Sequence, residues 1–293
     1  MVFLYLPRTK LPHRLGIMAL CALAGCAFFA VGLALAGTEL LAVLGTGLVA
    51  MLATVLCRLL QRSPPGSLFL TMPAAIAAFA PAGQGGGAER LGAYASGCLF
   101  ALLMALIYSM HIKSRHPRRP ITPLAEPRAL IASDAIVLGV TVALACLAAM
   151  ALDLARPYWV AVSAVTIMQG TTLQVAWQRK VHRIAGTLAG LLLAWPLLQW
   201  IGEPTHAALA IVLLLFVVET LVVRHYAAAV MFITPMAILL AETAHLQPGQ
   251  HAVATGAILQ ARLIDTMLGA ALGLAGVLVQ RMIARRLNLT PAG

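Results

Sequence analysis

Long apolar runs separated by short polar breaks fill the chain from residue 12 to residue 281. They fall at roughly 12–36, 39–60, 66–81, 90–111, 130–152, 158–177, 183–201, 206–223, 225–241 and 257–281. Most approach the ~20 residues that a helix needs to cross bilayer hydrocarbon, and they lack the two-residue alternation of barrel strands. The pattern predicts an all-α, polytopic membrane protein with about ten transmembrane helices. Its breaks are turn-like: Pro64-Pro65-Gly66, the glycine-rich 82–87, Gly202-Glu203-Pro204 and the polar stretch 245–251. One connector differs. Between His111 and Arg128 lie Lys113, Arg115, Arg118, Arg119 and the prolines 117, 120, 123 and 127, which predicts a basic linker over 112–128. It separates a four-helix half, 1–111, from a six-helix half, 129–293.

Composition agrees with lipid as the solvent. Hydrophobic residues make up 61% of the 293 positions and charged residues 10%, against about 25% charged in a soluble domain. Lys and Arg collect on the cytoplasmic side of a membrane. With the N-terminus inside, ten spans put all the Lys and Arg on that side except Arg90, Arg156 and Arg262, and both termini are then cytoplasmic. This asymmetry, facing anionic headgroups, accounts for the net charge of +11 without any nucleic acid as partner. The five cysteines lie in apolar runs without metal-ligand spacing and read as small hydrophobes. The first apolar run is too long for a signal-peptide core, so the first helix is expected to stay.

The chain repeats itself. "LPHRLGIMALCALAG" at 11–25 matches "KVHRIAGTLAGLLLA" at 180–194, "FLTMPAAIAAFA" at 69–80 matches "MFITPMAILLAE" at 231–242, and 89–107 matches 261–279. The offsets are 169, 162 and 172, taken at His13/His182, Pro73/Pro235 and Arg90/Arg262. Both copies start on the same side of the membrane, which predicts a parallel repeat of the kind found in transporters. The first copy is incomplete, with four helices matching the last four of six.

Polar residues inside apolar runs carry the candidate chemistry. Gln169-Gly170-Thr171-Thr172 interrupts the sixth run. Lipid cannot satisfy freed backbone groups, so such a break must border protein or a wet cavity, and the helix terminus it creates favours a carboxylate. The structural alternative is that Gln169, Thr171 and Thr172 only hydrogen-bond neighbouring helices. Arg183 either anchors to headgroups or, with the close-packing Gly186-x-x-x-Gly190 behind it, attracts anions inward. Tyr158 and Trp159 suit an interfacial aromatic belt or stacking on an aromatic ligand. Arg262 and Asp265, three residues apart, form a local ion pair or a coupling pair, and Glu219 is a further titratable carboxylate within a span. The chain carries no H-E-x-x-H zinc motif and no G-x-S-x-G elbow, so neither an enzyme nor a metal or cofactor site is expected.

The segment "RPYWVAVSAVTIMQGTTLQVAWQRKVHRIAGTLAG" at 156–190, with its Tyr-Trp at a span start, its polar break and its following Arg-Ile-Ala-Gly-Thr, resembles the signature of the fusaric acid resistance (FUSC) family of bacterial inner-membrane proteins. "RLIDTMLGAALG" at 262–273 is similar to that family's last helix. The resemblance covers roughly 130–280 and reaches the first half only through the repeat. It implies a multi-pass inner-membrane transporter exporting organic anions such as aromatic carboxylic acids. A passive anion channel of the malate-transporter type and a non-catalytic subunit of an efflux assembly are the alternatives. On this reading Tyr158, Trp159, Gln169, Thr171, Thr172 and Arg183 line the substrate path, and Glu219, Arg262 and Asp265 couple or gate it. The implied partners are a small organic anion and membrane lipid, with a homo-oligomer and a periplasmic adaptor as further candidates.

Overall fold

The computed structural model describes residues 5–6, 10–61, 66–79, 86–111, 126–169, 173–201, 204–221, 226–242 and 251–287. Ten helices follow in order: α1 (Leu11–Leu35), α2 (Glu39–Leu59), α3 (Leu68–Ala78), α4 (Gly87–His111), α5 (Arg128–Ala151), α6 (Tyr158–Met168), α7 (Leu173–Trp200), α8 (Pro204–Leu221), α9 (Tyr226–Glu242) and α10 (His251–Arg286). No strand occurs among the described residues. Six helices are long and apolar enough to cross a membrane: α1, α2, α4, α5, α7 and Gly256–Arg286 of α10. The expected linker lies, from 112 to 125, outside the described residues.

Six threonine hydroxyls buried in these helices are satisfied within the same helix. Thr46, Thr54, Thr141, Thr166, Thr234 and Thr266 each donate to the carbonyl four residues earlier, at 2.7–3.0 Å. That is how a threonine is accommodated where water cannot reach. Between α5 and α6 the chain turns through Asp153, at φ 53. Its N–H donates to the Met150 carbonyl and that of Leu154 to the Ala149 carbonyl, both at 2.9 Å, the paired bonds of a Schellman cap.

Packing repeats as the sequence does. α1 packs on α3 and α4, and α2 on α3; α7 packs on α9 and α10, and α8 on α9. α5 and α6 have no counterpart in the first half and join the two copies, α5 lying on α2 and α10, and α6 on α10 and α3. The main core draws on Val43 and Ala50 of α2, Val142 and Ala145 of α5, Val160 and Ala164 of α6, and Ala270 and Val277 of α10. Glycines set the closest crossings. A methyl group on Gly47 would lie 2.8 Å from the Gly139 carbonyl oxygen, and one on Gly139 would lie 2.7 Å from that of Gly47. On α10, Gly269 faces Val160 and Ser163, Gly273 faces Ala164 and Ile167, and Gly276 faces Met168, so α10 and α6 run parallel at backbone range. This is small-residue packing, which lets membrane helices approach where the hydrophobic effect gives no drive.

The structure moves one expected boundary. The hydropathy runs 158–177 and 183–201 suggest a helix stop among the basic residues near 180, whereas α6 ends at Met168 and α7 begins at Leu173, carrying Arg179, Lys180 and Arg183 within it. The polar knot therefore separates two helices and does not interrupt one. The chain reverses there: Arg183 and Ser163, 20 residues apart, are hydrogen-bonded, whereas one continuous helix would separate them by about 30 Å. With 11 residues each, α3 and α6 are about 16 Å long, half the hydrocarbon thickness.

Candidate functional site on the buried helix α6

All eleven residues of α6 are buried. Its sequence, YWVAVSAVTIM, is apolar except for Tyr158 and Trp159, Ser163 and Thr166. Trp159, Ser163 and Thr166 recur at i, i+4 and i+7 and so share one face.

Three arginines converge on this helix. At its start, Arg156 Nη1 donates to the Tyr158 hydroxyl at 3.5 Å. The Arg262 guanidinium of α10 lies over the Trp159 ring, 3.5 Å from its centroid, within range of a cation–π attraction. From α7, Arg183 Nε and Nη2 both donate to Ser163 Oγ, at 3.3 and 3.1 Å. Among the described residues the carboxylate beside them is Asp265, one turn along α10 from Arg262 and only 2% exposed. Arg262 and Arg156 are the cations whose fields reach it. Two polar atoms in this region, Asp265 Oδ1 and the Trp159 indole N–H, are buried without a hydrogen-bond partner among the described residues. One is an acceptor and the other a donor, and leaving either unmet is costly in a dry interior.

A second polar junction closes the other end of α6. Gln169 caps the helix, and its amide donates to Ser67 Oγ at 3.1 Å. Ser67 Oγ is also hydrogen-bonded to Thr54 Oγ1 at 2.9 Å, tying α2, α3 and α6 together. Gly66, at φ +59, lies against the Gln169 amide, where a side chain would collide. Its carbonyl accepts from the Tyr5 hydroxyl at 2.7 Å, and burial pushes the Tyr5 phenol up from its ordinary pKa. Beside this junction Arg58 pairs with Glu126 at 2.7 Å and with Asp134 at 3.0 Å, while the Gln280 amide donates to the Asp134 carbonyl at 3.1 Å.

Of the candidates from the sequence, Trp159, Arg183, Arg262 and Asp265 come together around α6. Tyr158 lies at the same end, tilted against Trp159 with ring centroids 5.1 Å apart and packed toward α3 with Ala75. Gln169 stands at the opposite end, and Thr171 and Thr172 lie outside the described residues. Glu219 is exposed on α8, which packs on α9. Gly190, read as a close-contact residue, does meet a neighbour at backbone range, at Met231 and Thr234 of α9. The residues that sequence reasoning missed are Ser163, which receives Arg183, and the pair Ser67 and Thr54. The spacing of Ser163 and Thr166 after Trp159 carried a signal; a contact from Gln169 to Ser67 across 102 positions did not. Among the described residues no group of three or more His, Cys, Asp or Glu is arranged to hold a metal.

Ten apolar helices, two packing repeats and a buried helix ringed by arginines define a polytopic helical membrane protein. Residues 144–276, within the second half of the chain, match the family described as fusaric acid resistance protein-like. A 155-residue stretch is also 34% identical to a Bacillus subtilis (strain 168) membrane protein, YvaC, which is described as uncharacterized; it covers 52% of this chain. The matched stretch corresponds to 24% of YvaC, so the chain spans about a quarter of that relative's length. No solved structure matches the chain.

Proposed function

We propose that the chain is an inner-membrane permease that exports organic anions, aromatic carboxylates first among them, with both termini in the cytoplasm. The observation that supports it is the convergence of Arg156, Arg183 and Arg262 on a fully buried helix, with Asp265 the carboxylate beside it among the described residues. An anion passing along α6 would meet the positive field of these side chains. The Trp159 N–H offers that anion an unused donor. Gln169, Thr171 and Thr172 would meet it at the cytoplasmic end, Tyr158 and Trp159 at the other, with Arg183 between. Arg262 and Asp265 couple the movement to protons, Glu219 being the other carboxylate available for that role. The protein works as a carrier, without chemistry on its cargo.

The test is flux of a labelled aromatic carboxylate into liposomes holding the purified protein. Arg183→Ala removes a charge-assisted contact of about 1.5–3 kcal/mol and is expected to cut flux roughly 10- to 150-fold, with Arg183→Lys retaining part. Accumulation against the gradient when a proton gradient is imposed identifies a coupled exporter, and purely downhill flux identifies the passive channel. Unchanged flux in Arg183→Ala removes the ground for placing the path on α6.

A further inference from the structure

We infer that Tyr5 and Leu6 form a strap that closes the Gln169 end of α6 and must withdraw before a solute passes there. The inference rests on the proposed path along α6, but its test needs no cargo. Tyr5 precedes the first residue of α1, Leu11, yet it packs with Cys21, which stands about 15 Å along that helix. The strap is therefore seated inside the bundle and not ahead of it. Tyr5 is 1% exposed, enclosed by Ile17 and Cys21 of α1, Ala53 and Cys57 of α2 and Leu70 of α3. Leu6 packs on Met18 and Ala22 of α1 and on Cys98 and Ala105 of α4.

The repeat shows what this seat corresponds to. Counting forward 172 positions from α4, Cys98 and Ala105 fall on Ala270 and Val277 of α10. Those two residues share the main core with Val160, Ala164 and Ile167 of α6. The first half has no such helix, and Leu6 lies against the matching positions instead. The two halves differ in how the facing element is held. α6 is fixed by its helix hydrogen bonds and by the glycine crossings of α10, whereas Tyr5 and Leu6 are held by their side chains. Segments of that kind open at lower free energy than the packed helices around them.

A hydrogen bond connects the strap to the path. The Tyr5 hydroxyl donates to the Gly66 carbonyl at 2.7 Å. Gly66 lies so close to the Gln169 amide that a side chain there would collide, and Gln169 caps α6 and donates to Ser67 beside α3. Seated, Tyr5 fixes the residue that confines Gln169. Withdrawn, it frees the Gly66 carbonyl and leaves a gap among α1, α2 and α3 through which water reaches the end of α6. A carrier that alternates between two openings needs a contact of this kind at each end of its path.

The test is reaction with a water-soluble maleimide in open membranes holding the full chain, every native cysteine except the one being read replaced by alanine. Tyr5→Phe keeps the ring and removes the hydroxyl. It is expected to raise labelling of Cys57, beneath the strap, about tenfold, the effect of one lost hydrogen bond on an opening equilibrium. Labelling of Thr166→Cys, on the α6 face that carries Trp159 and Ser163 and only 4% exposed, should rise by a similar factor. Cys146 of α5, 0% exposed, should stay unreactive and so report that the bundle has not loosened as a whole. A rise at Cys57 alone would make the strap a local cover and overturn the inference, as would no rise at either position or an equal rise at Cys146. Labelling that rises at both positions, in a chain that moves no aromatic carboxylate with either residue at position 5, would refute the proposed cargo and leave the strap standing.

Discussion

Arg262→Ala is expected to destabilise the protein by about 3 kcal/mol, read as a lowered Tm in detergent, and to abolish anion flux. The guanidinium lies over Trp159 and one turn from Asp265, which is buried with an unpartnered oxygen. Removing it leaves that carboxylate with Arg156 as the remaining cation, which is why the effect sits at the lower end of the ~3–5 kcal/mol seen when one partner of a buried pair is lost. Neutralising the carboxylate as well tests the cause. Arg262→Ala with Asp265→Asn should recover stability relative to Arg262→Ala alone, while flux stays lost. Two additive losses would show that the residues do not share an electrostatic environment.

The second large effect is steric. Gly269→Leu places a side chain against the Val160 carbonyl and Ser163. Ordinary overpacking costs about 1–3 kcal/mol because neighbours can shift. Here the obstacle is the backbone of a helix buried on every side, and α6 and α10 must separate. The variant is expected to lose more than ~3 kcal/mol and to fail to accumulate as folded protein. Gly256→Leu on the same helix is the control, since nothing lies within 4 Å of its side-chain position, and it should express normally. Equal yields of the two would mean that the α6–α10 crossing is loose.

Much of the fold was legible because lipid makes it so. A bilayer leaves helices and closed barrels as the spanning options, and apolar runs without alternation select helices. The repeat was legible as recurring His-Arg, mid-helix Pro and Arg-Leu positions, and the pairings of α1 with α3, α1 with α4 and α2 with α3 recur as α7 with α9, α7 with α10 and α8 with α9. The end of α6 was not, because hydropathy continues through Gln169 to Trp177 and the reversal shows only once Arg183 meets Ser163. At the site, single residues could be nominated: Trp159, Arg183, Arg262 and Asp265 stand out as aromatic, charged or polar within apolar runs. That they surround one helix depends on α10 running parallel to α6 and on α7 folding back, neither of which local sequence encodes. Glu219 illustrates the cost of judging by depth along a run alone, since it is exposed on α8.

The scaffold is duplicated, but its chemistry is not. At the positions of α4 matching Arg262 and Asp265 stand Arg90 and Ala93, and the helix that bears Trp159 and Ser163 has no second copy. Among the described residues the chain therefore offers one arrangement of this kind, and on the proposed function titration with an aromatic carboxylate should saturate at one equivalent per chain, whatever the number of chains assembled.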